Sequence, residues 1–356
     1  MASKEIPGIV GLGGIEGSRV ITNDHIADFL NKPAKAVKKL MKNVGIESRN
    51  WTEEEYATSD LAVEAVNRAL RMANIRPEEV KAIWCGTMTE DYPGVPIAPS
   101  VKERVGTPRM GVYFDISTAC VGFLSSLYIA YNDIVSPFGQ GGPQVVVGSD
   151  TLSKFLSPNK RETFMVFGDA AGAVVIDTIP DKNSLSAKIA FQFGADGSHV
   201  EDLYIPAGGS RIPTSEETIR NNQHCIWMNG KMVKKYAQND MRECIMRAAA
   251  KADVTFGDIM WLFPHQANLE IIDGLAKDIG FPRERVYKNI KHKGNTSSAS
   301  IPLALRDAYH EGKLLPDELI ISCSFGAGSE FGAAVLPTVG VPRRTTAERI
   351  RDLIPH

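Results

Sequence analysis

The chain has no apolar run near the roughly 18 residues that cross a bilayer, no excess charge of either sign, and few cysteines. The first absence excludes a membrane-spanning helix. The second, a formal net charge of −2 over 356 residues, removes any global drive toward nucleic acid or an anionic membrane, so neither is expected as a partner. The five cysteines, Cys85, Cys120, Cys225, Cys244 and Cys323, are odd in number, scattered, and include no Cys-x-x-Cys pair. That argues against a disulfide framework and a structural zinc site. The opening Met-Ala-Ser-Lys-Glu-Ile-Pro lacks the layout of a secretory signal, and a reducing cytoplasm is the expected location. There is no HExxH, Walker A or EF-hand loop, and no metal is expected. The composition that remains, 43% hydrophobic and 23% charged, is that of a globular protein with room for one large domain or two ordinary ones.

The most informative residue is Cys120, in Asp115-Ile-Ser-Thr-Ala-Cys120-Val-Gly-Phe-Leu124. A strand-like run (111–114) leads in, and a small-residue apolar run (121–135) with helical character leads out. A thiol at the sharp start of a buried helix meets the positive end of the helix dipole. That position predicts a thiolate and hence a nucleophile for an acyl group. The other four cysteines read as buried small hydrophobes.

The chain also repeats itself. A helix, a polar turn and a buried strand occur at 69–86 and again at 248–265. A constant offset of 179 separates Ala73, Val80 and Ile83 from Ala252, Ile259 and Leu262. Gln144–Asp150 and Leu319–Phe325 form a second pair of buried strands ending in polar turns. Both halves alternate helices with β-rich runs, which predicts an α/β fold with buried sheets. The expected organisation is an N-terminal half, 1–180, a C-terminal half, 181–336, and an appended tail, 337–356. The stretch 208–222 reads as an exposed loop. Sites commonly form at the interface of two such halves.

His265 follows the strand-like Ile-Met-Trp-Leu-Phe-Pro (259–264) and precedes an amphipathic helix, which places it at a strand-to-helix corner. Asn295, in Gly294-Asn-Thr-Ser297, sits at a turn before another helix. Alone, each has a structural reading, as a core histidine or as turn and N-cap chemistry. Together, a cysteine with a histidine 145 residues later and an asparagine 30 further on form a nucleophilic pattern. That spacing also suits a papain-like cysteine hydrolase, but the Cys-Gly-Ser-Cys-Trp context is missing. Glycine-rich stretches at 11–14 and 326–332 miss the dinucleotide fingerprint. The turn at 166–175 reads as backbone packing before a buried strand. Lysines at 35, 38, 39 and 42 share one helix face. Lysines at 231, 234 and 235 and at 288, 291 and 293 make two further clusters, all readable as solvated faces.

On the strings Phe114–Phe123, Val147–Asp150, Phe167–Ala173, Pro264–Asn268 and Gly294–Ser297, the chain resembles β-ketoacyl-acyl-carrier-protein synthase III, a condensing enzyme of the thiolase superfamily. The resemblance runs from about residue 5 to about 336. It implies a thiolase-like five-layer αβαβα fold of two similar halves, a homodimer, and no cofactor. It implies that Cys120 takes an acyl group from acyl-CoA. That group then accepts the carbanion left when a malonyl-carrier thioester, malonyl-acyl carrier protein or malonyl-CoA, loses carbon dioxide, giving a 3-oxoacyl thioester. His265 and Asn295 are then hydrogen-bond donors to the enolate. The backbone N–H groups of Cys120 and Ala327 form the oxyanion hole, and a backbone donor tolerates alanine at 327 if φ is negative.

Arg161, Asn268, Lys235, Lys277 and Phe325 match family substrate-binding positions, and Tyr92 and Val95 fall in the segment that gates the acyl pocket. Three positions depart from the pattern. The tryptophan and arginine that hold the CoA adenine fall at Lys39 and Asn43, and an arginine used for carrier docking falls at Glu270. These departures leave open an acyltransferase that delivers the acyl group to an alcohol or amine. Met88 and Val95 stand where hydroxymethylglutaryl-CoA synthases and head-to-head olefin enzymes carry glutamate, which disfavours both.

Overall fold

The computed structural model describes residues 5–181 and 185–343. The junction at 182–184 and the tail from 344 onward lie outside the described residues. Two sheets dominate. The first runs in the order β1 (Glu5–Glu16), β7 (Ala170–Pro180), β6 (Gln144–Asp150), β4 (Ala82–Gly86), β5 (Val112–Ile116). The second runs β8 (Ala190–Ala195), β13 (Glu330–Pro337), β12 (Leu319–Phe325), β11 (Ile259–Pro264). The two match in direction as well as order. β1 and β8 lie antiparallel to β7 and β13, which lie antiparallel to β6 and β12, which run parallel to β4 and β11. The partner of β5 in the second sheet is reduced to one parallel bridge, Leu262 to Val286.

Helices make the other three layers. On one outer face α3 (Thr58–Ala73) and α4 (Ala98–Val105) cover the first sheet, and on the other α8 (Gly230–Lys251) and α9 (Leu269–Ile279) cover the second. Between the sheets lie α5 (Gly122–Val135) and α11 (Ser300–His310), touching strands of both. Strand periodicity accounts for this sandwich. On β6, Val145 and Val147 face α3 while Val146 faces α5; on β12, Ile321 and Cys323 face α8 while Ile320 faces the middle layer. Alternate residues point to opposite faces, and because both faces are covered, the strands are apolar throughout. α5 is correspondingly rich in apolar and small residues, as a helix enclosed by two sheets must be.

Smaller elements flank this frame. A ribbon of β2 (Arg19–Thr22) and β3 (Ser48–Trp51) carries α1 (Asn23–Phe29) and α2 (Ala34–Val44). A second ribbon pairs β9 (Leu203–Tyr204) with β10 (Trp227–Met228), near the short helices α6 (Arg161–Phe164) and α7 (Glu216–Arg220). The stretch 208–222 is largely exposed, as its composition predicts, but it is not all loop: it contains α7, of which only Thr218 is buried. A last short helix, α10 (Ile290–Lys293), precedes the Asn295 turn. Lys293 and Arg306 both pair with Glu16 at the end of β1, binding the second half to the first.

The parallel strands of both sheets end at the same region. Gly86 closes β4, and a Cβ there would lie 2.4 Å from the Gly122 carbonyl carbon; one on Gly148 of β6 would lie 2.3 Å from the Ser298 carbonyl oxygen. These two glycines let the Cys120 turn and the 297–299 turn rest directly on the strand ends. Because backbone blocks the added atom, Gly148→Ala is expected to destabilise the fold by about 1–3 kcal/mol, seen as a lower Tm. Gly197→Ala, where a Cβ meets nothing within 4 Å, is the matched control. Equal melting temperatures for the two variants would contradict the close approach.

Candidate active site

Cys120 sits in a single 3-10 turn, Ala119–Val121, between the exit of β5 and the start of α5. Ala119 enters that turn at φ 45°, a left-handed conformation that costs a residue with a Cβ roughly 1 kcal/mol or more. The surroundings hold it there. The Ser324 hydroxyl donates to the Cys120 carbonyl at 2.8 Å. Gly326 brings the β12 exit so close that a Cβ on it would lie 2.9 Å from the Cys120 nitrogen. Positive φ angles in that exit fall on Gly328 and Ser329, 79° and 51°, and not on Ala327, so Ala327 fits without left-handed strain.

Cys120 is 6% exposed, and the Ser297 hydroxyl donates to its Sγ at 3.4 Å. Burial pushes the thiol up to about 12; the Ser297 bond pulls it back, and the Asp150 carboxylate pushes it further up. This corrects the thiolate expected from helix position. A helix terminus supplies at most about 2 kcal/mol, little more than one pH unit's worth at about 1.4 kcal/mol each. Enclosure outweighs it, and the resting sulfur is a thiol. The other four cysteines are free and buried, as expected.

Asn295 is fixed through its backbone and one side-chain oxygen. Its N–H donates to the Val166 carbonyl at 2.8 Å, its carbonyl accepts from Gly168 N–H at 2.9 Å, and its Oδ1 accepts from Ser297 N–H at 2.9 Å. With Oδ1 occupied, the amide NH2 is left as the free donor. The 166–168 segment, read from sequence as backbone packing, therefore also holds a site residue.

His265 follows β11, with its N–H donating to the Cys323 carbonyl at 2.7 Å. Its Nδ1 lies 2.6 Å from the Ser300 hydroxyl, and Phe325 packs edge-on to the ring at 5.6 Å between centroids. Burial lowers its pKa to about 3, so the imidazole is neutral throughout the physiological range. The segment 295–300 thus touches Cys120 through Ser297 and His265 through Ser300. Sequence reading missed Ser297, Ser300 and Ser324, since a Ser/Thr-rich turn carries no signal beyond turn chemistry.

The remaining expected residues lie outward. Asn268 caps α9, its Oδ1 accepting from Glu270 N–H at 2.8 Å. Lys235 on α8 and Lys277 on α9 are exposed. Arg161 starts α6 and borders a cavity of about 340 Å³ shared with Lys160, Trp227 and Asn229. Lys39 and Asn43 lie exposed on α2. Glu270 pairs with Lys234 at 2.5 Å. Tyr92 and Val95 face each other in a tight, exposed turn. Its flanks are pinned: Asp91 accepts from Ser59 N–H, and Asp115 from Ile97 and Ala98 N–H.

Comparison with known proteins bears on this arrangement. The family described as 3-oxoacyl-acyl-carrier-protein (ACP) synthase III matches residues 114–197, and its C-terminal family matches residues 249–338. The β-ketoacyl-acyl-carrier-protein synthase III of Symbiobacterium thermophilum is 37% identical over 329 residues, covering 92% of this chain and 97% of that one. The enzyme of the same name from Clostridioides difficile is 36% identical over 329 residues, covering 92% and 97%. Among solved structures, the 3-oxoacyl-acyl-carrier-protein synthase III of Aquifex aeolicus is similar at a TM-score of 0.82 and 32% identity, covering 93% of this chain and 99% of that one. That of Pseudomonas aeruginosa reaches 0.84 at 30% identity, covering 95% and 100%.

The buried thiol makes a direct prediction. Iodoacetamide labelling of Cys120, followed site by site by mass spectrometry, should keep accelerating with pH and not level off near the ordinary thiol value of about 8.5. Ser297→Ala, which removes the hydroxyl that favours thiolate, should slow labelling at every pH. A plateau near neutrality would show that the helix terminus wins after all.

Proposed function

Because the chain belongs to the 3-oxoacyl-acyl-carrier-protein synthase III family, we propose that it joins an acyl group held on Cys120 to a malonyl thioester by decarboxylating condensation. In the first half-reaction the Cys120 sulfur attacks the thioester carbon of an acyl-CoA. The tetrahedral oxyanion forms against the backbone N–H groups of Cys120 and Ala327. It collapses to acyl-Cys120 and the CoA thiolate, which takes the proton lost by Cys120. In the second, the malonyl thioester loses carbon dioxide and leaves an enolate. Asn295 NH2 donates to its oxygen, and so does His265 Nε2–H, with Ser300 donating to Nδ1. The carbanion attacks the acyl carbon, the C–S bond to Cys120 breaks, and the sulfur regains a proton as the 3-oxoacyl thioester leaves.

The observation that carries this reading is the pairing of Asn295 Oδ1 with Ser297 N–H, which commits the free end of the amide to donation. The state of His265 supports it. A general base works best with a pKa near the working pH, and a buried imidazole near 3 is a weak base but a sound neutral donor. Hydrolysis, or transfer to an alcohol or amine, needs a proton taken from the attacking O–H or N–H, so both alternatives sit poorly here.

The finer parts of the proposal concern partners. Acyl-CoA would enter by the cavity beside Arg161, where Lys160, Arg161 and the Trp227 indole suit phosphates and a base while Glu162 opposes them; the family resemblance adds Asn268, Lys235, Lys277 and Phe325 as substrate contacts. Malonyl-acyl carrier protein or malonyl-CoA follows. A homodimer belongs to this reading. β5 is an edge strand with Phe114 exposed, a surface that pairing with a second copy would cover, and Tyr92 and Val95 would then gate the acyl pocket. The halves 1–180 and 181–336 are the units of this architecture. A cytoplasmic location accords with five free cysteines.

The test is a panel of acyl-CoAs, with the mass added to Cys120 followed before malonyl-CoA or a malonyl-carrier protein is supplied. An adduct on Cys120, absent in Cys120→Ala, and carbon dioxide release that needs Asn295 are the expected results. An acyl-enzyme that never releases carbon dioxide would sink the condensation reading. The Lys234–Glu270 pair yields a second expectation. Glu270→Lys should lower KM for an acidic malonyl-carrier protein several-fold, most strongly at low salt, and leave KM for malonyl-CoA unchanged.

A further inference from the structure

One buried ionisable group next to the site has no part in the reaction just described. Asp150 ends β6, is fully buried, and forms no ion pair with Lys, Arg or His among the described residues. Its two oxygens divide their partners between the two halves. Oδ1 accepts from Met88 N–H at 2.9 Å and from the Thr87 and Thr89 hydroxyls at 3.2 and 3.1 Å. Oδ2 accepts from Ser298 N–H at 3.2 Å and the Ser298 hydroxyl at 2.7 Å. A carboxylate deprived of water costs several kcal/mol, and burial does push its pKa up. A converging set of donors is what keeps such a group tolerable.

The second oxygen holds the turn on which the site depends. Ser298 follows Ser297, and Ser297 uses its N–H to hold Asn295 Oδ1 and its hydroxyl to reach Cys120 Sγ. Ser297 does so at φ 51°, a conformation that persists only where neighbours impose it. Gly148 lets β6 lie directly against Ser298, and Asp150, two residues further along the same strand and so on the same face, grips the turn beside it. Since Asp150 has no exposed surface, it meets neither substrate.

We propose that Asp150 is a positioning residue for the condensing half-reaction: its buried carboxylate locks the Asn295–Ser298 turn, and through it the Asn295 amide, opposite the acylated Cys120. The proposal rests on Asn295 acting as an enolate donor. Acyl transfer to Cys120 uses backbone donors tied to Ser324 and Gly326; Asp150 bears on that step through its charge, which disfavours the thiolate, and through the Ser297 hydroxyl, which favours it, two opposed effects that should leave acylation changed far less than decarboxylation.

The test measures the two half-reactions separately. Acylation of Cys120 by acetyl-CoA is read by intact mass. Carbon dioxide release from malonyl-CoA is read on enzyme already acylated. Asp150→Asn presents an NH2 to one set of donors and breaks that side. Ser298→Ala removes the 2.7 Å hydroxyl bond to Asp150 together with the 2.9 Å hydroxyl contact to the Gly86 carbonyl, keeps the Ser298 N–H bond, and carries the test if Asp150→Asn fails to fold. Both variants should slow carbon dioxide release roughly 10–100-fold, the loss expected for a buried hydrogen bond to a charged group, with acylation changed no more than about threefold. In an Asn295→Ala background Ser298→Ala should cost little more, because residues acting through one another are not additive. Equal losses in both half-reactions, or losses that multiply with Asn295→Ala, would overturn the assignment while leaving the condensation reading intact. Wild-type enzyme that acylates but releases no carbon dioxide would overturn that reading, and this proposal with it.

Discussion

The site depends on two chain reversals of one kind, one from each half, pressed against each other. Thr118 and Thr296 precede them, Ala119 and Ser297 enter at φ 45° and 51°, single 3-10 turns follow at 119–121 and 297–299, and helices begin at Gly122 and Ser300. The offset is 178 residues throughout, close to the 179 that relates the earlier strands. An internal two-fold resemblance thus brings equivalent corners together, and the chain has made them different: one carries the thiol, the other the residues that surround it. Neither left-handed residue is glycine, so each turn costs free energy that its neighbours must offset. That dependence couples the site to the strand ends of both sheets.

Enclosure then sets the chemistry. A sulfur, an imidazole and an amide are all buried around the 295–300 turn, and burial drives the first two toward their neutral forms. In such surroundings fixed donors gain strength and need no reorganisation as charge appears. A neutral imidazole can donate but hardly accept a proton. The same burial that makes Cys120 slow to ionise therefore suits His265 to the donor role proposed for it. The cost falls on the acylation step, where the thiol must lose its proton, and among the described residues the Ser297 hydroxyl is the side chain that eases it. Asp150 pulls the other way through its charge, which suggests its geometric value exceeds its electrostatic cost.

Much of this was legible in the chain. Strands at 144–150 and 319–325 announce themselves by continuous apolar runs, and the corner positions of Cys120 and His265 follow from strand-then-helix patterning. The offset repeat makes two similar halves visible in the chain itself. What the sequence hid is interaction across space. Ser297, Ser300 and Ser324 look like any turn serines, and their roles exist only because Cys120 and His265 arrive beside them. Asp150 reads as the polar end of a strand. The ionisation of Cys120 is hidden for a related reason: local position reports the helix terminus, whereas burial is a sum over the whole fold and outweighs it.

This division explains where the chain departs from its family. At depth every group is held by several others: changing Ser298 disturbs Asp150, Asn295 and Gly86 together, because its hydroxyl also lies 2.9 Å from the Gly86 carbonyl. Coupled positions resist piecemeal change. At the mouth the constraints are single and wet. Lys234 and Glu270 expose 44% and 40% of their side chains, where an ion pair is worth about 1 kcal/mol or less, and Lys39 and Asn43 stand exposed on α2. Substitutions there leave the thiol and the donors untouched. The departures at the rim are therefore compatible with unchanged chemistry at depth, and partner choice can diverge while the condensation does not.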